Sequence, residues 1–328
     1  MANMNDVAKL ANVSRGTVSN YINGVKVKDE LAKRIEEAIE ELNYIPDRAA
    51  RSLKKQSSDT IAFILPTIWT PFFAELTNYI QLELQKRNLK MLLCNSNNDF
   101  LLELDYVKMA KEEKVRGIIT ISYSDIDPYI TSNLPIVSIE RYFNQQVPFV
   151  TSDNFQGARL AAKELHQRGS KKLLMVLRDL PNNLGIYERM NGFIDYCKHE
   201  NLEYEVYLDE GDSEGFSQRI ENYLQKNYEK QCPFDGIFAA TDRYAEYILR
   251  AFYNLDWKIP EDVQLVGFDG ARGYPTQPLV ISTIAQNIKE IAKVSVDELL
   301  QFDKDRDFQN KHILPIQFMG LKTTRELE

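Results

Sequence analysis

Hydrophobic and polar positions along this chain follow one period near the amino terminus and another beyond it. From Met4, the apolar residues Val7, Leu10 and Ala11 fall at i, i+3 and i+4, which predicts a helix with Asn3 available as its N-cap. The pattern breaks at Asn12-Val13-Ser14, a short turn carrying one apolar plug, Val13. Ser14 then caps a second helix through SRGTVSNYI, with Val18, Tyr21 and Ile22 facing inward and Asn23-Gly24 closing it. A third helix is predicted over 29–42, where Leu31, Ile35, Ala38, Ile39 and Leu42 share a face. After the polar stretch KKQSSD, apolar runs alternate with amphipathic stretches. The runs are Thr60–Leu65, Met91–Cys94, Gly117–Ile121, Ile136–Ile139, Lys172–Leu177, Gly236–Ala239 and Gln264–Phe268. Helical patterns lie between them at 72–87, 101–113, 155–168, 187–200, 214–227 and 243–255, and Lys322 to Glu328 reads as a polar tail. Strand-helix alternation of this length predicts parallel α/β sheets, divided between two lobes because one open sheet with so many units would be unusually large.

Composition fits that division. With 328 residues, 44% hydrophobic and 27% charged, the chain has the make-up of a folded, multi-domain protein and not of a disordered or fibrous one. The net charge of -8 at first argues against nucleic acid, which usually demands a basic footprint. Through Ser57, however, ten Lys and Arg stand against eight Asp and Glu, leaving 30 against 40 for the rest. A mildly basic head of +2 therefore precedes a body of -10. Cys94, Cys197 and Cys232 are far apart with no CxxC pair, which predicts ordinary thiols in a reducing compartment. No signal peptide or apolar stretch of spanning length is evident, so a cytoplasmic protein without membrane attachment is expected.

Two short helices joined by a three-residue turn form a helix-turn-helix, a motif whose second helix lies in the DNA major groove. The run DVAKLANVSRGTVSNYIN, followed by ELNYIPDRAARSLK, resembles the DNA-binding head and hinge of the lactose repressor and galactose repressor family, including its core at Val13, Ser14, Thr17, Val18 and Ser19. The resemblance implies phosphate contacts from the hydroxyls of Ser14, Thr17 and Ser19, which set register without reading sequence. It places Arg15, Gly16 and Asn20 against base edges; Arg suits guanine and Asn adenine, while Gly16 has no side chain to read with. In the hinge, Arg48, Arg51 and Lys54 are expected at phosphates, and Leu53 matches the leucine that wedges into the minor groove at the operator centre. The domains expected are a helix-turn-helix head at 1–45, a hinge at 46–59 and a two-lobed effector-binding and dimerisation body at 60–328.

For the body the resemblance is looser. SIERYF from Ser138, FVTSDN from Phe149, ERMNGF from Glu188, ATD around Thr241 and LVGFDG from Leu265 imply a periplasmic-binding-protein-like pair of lobes, joined by three crossovers around a ligand cleft. Sugars need bidentate polar partners for vicinal hydroxyls and an apolar wall for the ring face, and such clefts form at the carboxyl ends of the strands. The matching positions are Phe72 and Phe73 for the wall, and Glu140, Arg189, Thr241, Asp242 and Asp269 for the polar set, with Gln286 as a further candidate. Each has a structural rival: Phe72 and Phe73 as core, Asp269 as a turn cap, Arg189 paired to a carboxylate on its own helix. Asp153 suits a structural role.

Other chemistries find little footing. GFDGARG lacks the GxGxxG spacing, no GxxxxGK[ST] loop exists, and DKDRD at Asp303 lacks the glycine and glutamate of a calcium loop. His166, His199 and His312 are isolated, so neither metal, cofactor nor catalytic triad is expected. The reading is a sequence-specific DNA-binding regulator, a repressor of a sugar-utilisation operon, acting on a palindromic operator as a homodimer or a pair of dimers. It would be controlled by a small sugar or sugar phosphate, with sucrose or a β-fructoside favoured. A catabolite regulator taking a phosphorylated carrier protein as corepressor is the alternative; an enzyme or a secreted binding protein fits less well.

Overall fold

A computed structural model describes residues 2–45, 58–130, 135–143, 147–180, 183–228, 233–301 and 311–327. It divides into two compact units, Met1–Ser58 and Asp59–Glu328.

The head holds α1 (Met4–Leu10), α2 (Arg15–Ile22) and α3 (Asp29–Glu41). Asn3 caps α1 in a reciprocal capping box with Asp6, and Ser14 caps α2 by accepting from the Thr17 N–H at 3.0 Å. Val7, Val18 and Ile35 are wholly buried and meet Ala8, Ala11, Ala38 and Tyr44 in one core, with Val13 packed against it as the plug of the turn. Arg34 Nη2 donates to the carbonyl of Asn12 at 3.0 Å and ties α3 to that turn. Gly24, at φ +73°, follows the end of α2 as expected.

The body runs β1 (Thr60–Leu65), α4 (Pro71–Lys86), β2 (Lys90–Asn95), α5 (Phe100–Glu112), β3 (Gly117–Thr120), β4 (Ile136–Ile139) and β5 (Phe149–Ser152). It continues with α6 (Asn154–Gln167), β6 (Lys172–Arg178), α7 (Leu184–His199), β7 (Glu203–Asp209), α8 (Phe216–Tyr228), β8 (Gly236–Ala239) and α9 (Asp242–Asn254). The last elements are β9 (Gln264–Asp269), β10 (Ser282–Gln286), α10 (Ile288–Leu300), β11 (Lys311–Leu314) and β12 (Ile316–Met319). Two six-stranded sheets result, ordered β11-β5-β4-β3-β1-β2 and β12-β10-β9-β8-β6-β7. All pairings are parallel except β10 with β12. β3, β4, β8 and β9 are buried throughout, as parallel strands covered on both faces must be.

The chain passes between the lobes three times: at Asp153 between β5 and α6, at Asn287 between β10 and α10, and at Pro315 between β11 and β12. The returning α10 completes the first lobe. Its Ile291, Ala292 and Val296 pack with Leu76, Ile80 and Leu84 of α4 in one core, and Arg87 bridges Glu83 and Asp297 beside it. In the second lobe α6 and α7 touch backbone to side-chain position, because Gly192 leaves no Cβ: one built there would lie 2.1 Å from the Phe155 carbonyl oxygen.

Five strands are additional to those expected: β5, β7, β10, β11 and β12, together with α10. The expected polar tail is also pinned. Thr323 is 2% exposed, donates to the Leu265 carbonyl and accepts from the Ser282 N–H, and the Arg325 N–H donates to Gln264. Cys94 and Cys197 are buried, and burial pushes their thiols up to about 11 and about 12, which keeps them protonated and unreactive. No described helix is long and apolar enough to cross a membrane.

Candidate functional site

In the head, the three base-facing candidates share the open side of α2. Arg15, Gly16 and Asn20 are exposed while Val18, between them in sequence, is wholly buried. Ser14 Oγ and Thr17 Oγ1 lie 2.8 Å apart at the start of the helix, so Ser14 already serves as the cap. Ser19 is partly buried, and Asn23 Nδ2 donates to its carbonyl at 2.7 Å. The hinge candidates Arg48, Arg51, Leu53 and Lys54 lie outside the described residues, as does the DKDRD loop.

Between the lobes of the body, the carboxyl ends of the strands enclose a cavity of about 640 Å³. Phe72, Phe73, Glu140, Arg189, Thr241, Asp242 and Asp269 all line it, together with Gln286. Thr70 caps α4 and Pro71 opens it, so the two phenylalanines follow on the first turn; their rings meet edge to face at 5.5 Å. Phe72 serves both readings, being 8% exposed in the first-lobe core and part of the cavity wall.

The polar residues form a closed ring. Arg189 Nε donates to Asn154 Oδ1 at 2.8 Å, and Asn154 Nδ2 donates to Glu140 Oε2 at 3.0 Å. Glu140 Oε1 accepts from the Ser152 N–H at 3.1 Å, and Ser152 Oγ donates to Gln286 Oε1 at 2.6 Å. Gln286 Nε2 donates to Asp269 Oδ1 at 2.8 Å, and Asp269 closes the ring with Arg189 Nη1 at 3.7 Å. Ser152, Asn154 and Gln286 flank two of the crossovers, so the Arg189–Asp269 pair of the cleft is wired directly to the connections between the lobes.

Two of the ring's acids sit on strained backbone: Glu140 at φ +60° and Asp269 at φ +129°, conformations that β-carbon residues adopt at a cost of about 1–3 kcal/mol and that cluster at binding sites. Arg189 does not pair within its own helix. Its guanidinium stacks 3.5 Å from the Phe268 ring centroid, and Nη1 donates to the Ala240 carbonyl at 2.6 Å. Burial pushes the Asp269 carboxyl up to about 8; Arg189 opposes this and Asp242 adds to it. Asp242 is raised to about 6, again chiefly by burial, and its oxygens accept from Thr283 Oγ1 at 2.6 Å and the Gly270 N–H at 2.8 Å. Asp242 thereby also holds the turn after β9. Thr241 caps α9, and Asp153 caps α6.

Several lining residues were not anticipated: Trp69, Asn97, Asn98, Tyr123, Arg178 and Tyr244. Trp69, 81% exposed, offers a further aromatic surface. Tyr123 lies three residues beyond β3, and its hydroxyl is raised by burial and by Glu140. The rule that clefts gather strand carboxyl ends would have found Tyr123 after β3 and Arg178 at the end of β6.

Residues 3–47 match the family model "Bacterial regulatory proteins, lacI family", and residues 162–320 match a periplasmic binding protein-like domain. The sucrose operon repressor of Streptococcus mutans is 33% identical over 98% of this chain and 98% of its own length. The chain belongs to the lacI family. The ribose operon repressor of Bacillus subtilis is 31% identical over 99% of both chains. Among solved structures, a lac repressor dimer bound to operator and the anti-inducer ONPF superposes with a TM-score of 0.85 at 20% identity, covering 98% of each chain, which supports the fold. As a lacI-family member the chain is a DNA-binding transcription regulator, and its helix-turn-helix head and two-lobed body are those of the family.

Proposed function

We propose that this regulator represses a sugar-utilisation operon, binding a palindromic operator as a homodimer under the control of a small sugar held in the interlobe cleft. The observation that carries the reading is the ring through Arg189, Asn154, Glu140, Ser152, Gln286 and Asp269, because it joins the polar groups facing a ligand to the crossovers on which the lobes turn. A ligand that prefers one closure angle shifts the population of lobe arrangements, and ligand and operator then change each other's affinity by the same factor. Phe72 and Phe73 supply the apolar wall, while Arg189 and Asp269 supply the bidentate partners for hydroxyls. The cavity falls within the range of about 300–1,000 Å³ common for small-ligand sites. The similarity to repressors of sucrose and ribose operons supports a sugar over a phosphorylated carrier protein, and the S. mutans relative supports sucrose or a β-fructoside.

On DNA, Arg15 and Asn20 read bases, Ser14, Thr17 and Ser19 meet phosphates, and Arg48, Arg51 and Lys54 clamp the hinge while Leu53 wedges the minor groove. The test is operator titration by fluorescence anisotropy, with the operator defined by binding-site selection, run against a panel of mono- and disaccharides. At least one sugar is expected to change operator affinity, and Arg189→Ala with Asp269→Ala is expected to remove that response. A full response in the double variant refutes the cleft assignment. Arg15→Ala is expected to relax selection at one base pair of each half-site by about 1–3 kcal/mol; an unchanged selected sequence refutes base readout there.

A further inference from the structure

Glu140 and Arg141 follow β4 as neighbours, both buried, and turn to different partners. Glu140, at φ +60°, belongs to the cleft ring through Ser152 and Asn154. Arg141, 3% exposed, reaches into the segment after β3. Its Nη1 donates to Ser122 Oγ at 3.2 Å and to the Ser124 carbonyl, and Nη2 lies 3.6 Å from Asp127 Oδ2. The guanidinium also stacks on Phe143, 4.6 Å from its ring centroid.

The segment held in this way has no ladder to fix it. Residues 122–126 lie in neither helix nor strand, so their backbone groups must find partners one by one. Ser122 Oγ accepts from the Ser124 N–H at 3.2 Å, which tightens the turn that Arg141 grips. Glu103, on α5 and buried, faces Ser122, Ser124 and Arg141, which offset the rise that burial imposes on its carboxyl. Burial likewise disfavours the charge of Arg141, and Asp127, Glu103 and Asp125 oppose that. A buried charge set of this kind is costly to desolvate, and apolar side chains in its place are often as stable. Position is what it can contribute beyond stability.

The residue positioned is Tyr123. It stands between the two gripped serines, lines the cavity and packs against the same core as Phe73, whereas Ile126 and Phe143 belong to the core on the α5 side. Burial raises its hydroxyl, Glu140 and Asp269 add to this and Arg189 opposes it, so the hydroxyl lies within the field of the ring. Glu140 in the ring and Arg141 behind Tyr123 are joined by a single peptide bond, which links the two sets of contacts.

We propose that Arg141 is a positioning residue of the effector site: through Ser122 and Ser124 it sets Tyr123 as a recognition residue on the cleft wall, and it makes that wall move with Glu140. The inference rests on the cleft holding a sugar effector, and the test separates the two.

Arg141→Lys keeps the charge but not the planar fork that engages Ser122 and Ser124 together. Hydrogen exchange of the full chain, without sugar, is followed by mass spectrometry. Amides of 122–126 are expected to exchange about tenfold or more faster in the variant than in the parent, with β3 and β4 unchanged. Equal protection of 122–126, or a uniform loss that includes both strands, overturns the positioning role. Isothermal titration with sucrose, fructose and ribose, at a temperature where every variant is folded, is the second arm. For a sugar that the parent binds, Arg141→Lys is expected to weaken binding about tenfold. In a Tyr123→Ala background it is expected to have no further effect, because the ring through which it acts is gone. The same loss in both backgrounds overturns the route through Tyr123 and leaves a structural cluster. Binding unchanged by Tyr123→Ala overturns Tyr123 as a recognition residue. A panel in which no sugar binds the parent overturns the sugar reading, and Arg141's hold on Tyr123 is still decided by the exchange.

Discussion

Arg272 and Glu75 join the two lobes: the backbone N–H of Arg272, in the loop after β9, donates to Oε2 of Glu75 on α4 at 2.7 Å. The preceding residue, Ala271, is 4% exposed and packs into the first-lobe core with Phe72. The loop that starts at the cavity-lining Asp269 is thus clasped by the opposite lobe in this arrangement of the lobes.

Glu75→Ala should therefore loosen this arrangement of the lobes, the one the effector is expected to favour. A hydrogen bond to a charged group contributes about 1.5–3 kcal/mol, so effector affinity is expected to fall about tenfold, although Glu75 is not itself part of the cavity lining. Calorimetry of the variant with the effector measures this. An unchanged affinity would show that the clasp does not bear on closure.

Asp269 predicts a pH dependence with a definite sign. Its carboxyl has a reference value of 3.8 and is raised to about 8 in the folded chain, chiefly by burial. Between those values the folded state holds a proton that the unfolded state has released, so this contribution is complete below about 3.8 and is lost as pH rises through about 8. Asp269→Asn removes the titration. Without ligand, the variant should gain on the parent as pH rises from 5 to 8, by at most about 1.4 kcal/mol per unit. Melting temperatures across that range check it; parallel curves would mean that Asp269 is not raised.

Gly192 carries a packing prediction. A methyl group there would lie 2.1 Å from the Phe155 carbonyl oxygen and 2.9 Å from its carbon, backbone atoms that have no rotamer to move. Gly192→Ala must then push α6 and α7 apart, and a cost of about 1–3 kcal/mol is expected from denaturant unfolding. Because α7 also carries Arg189, sugar affinity should fall with it. A variant as stable as the parent would show that the helices separate freely.

Much of the fold is legible in the sequence. The head was readable because each signal there is local: Asn3 and Ser14 as caps, Gly24 after the second helix, Val7, Val18 and Ile35 at helical spacing. The buried strands β1, β3, β8 and β9 announced themselves as continuous apolar runs. β7 and β11 did not, because an edge strand has one open flank and fewer buried faces: EYEVYLD mixes apolar residues with acids, and KHIL opens on two polar residues. The cleft candidates came together in one cavity, but their connection did not show in sequence. Asn154 reads as an ordinary first-turn residue of α6, and only the crossover geometry puts it between Arg189 and Glu140. Arg178 was missed for a related reason: a charge at a strand end reads as solvated until the strand order places it on the cavity wall.

Asn154 supplies the sharpest test of how the cleft is coupled to DNA. It is wholly buried, and its amide both accepts from Arg189 and donates to Glu140, joining a second-lobe cation to a first-lobe acid at the crossover. Asn154→Ala leaves both groups short of a partner in a buried site, at about 1–3 kcal/mol for each. A purely structural role predicts lower stability and weaker effector binding, with saturating effector still changing operator affinity by the original factor. A coupling role predicts that this factor itself collapses toward one, because Arg189 can then hold the ligand without passing its position to Glu140 and Ser152. Operator titrations with and without saturating effector, at a temperature where the variant is folded, distinguish the two, and a preserved factor removes Asn154 from the path between ligand and lobes.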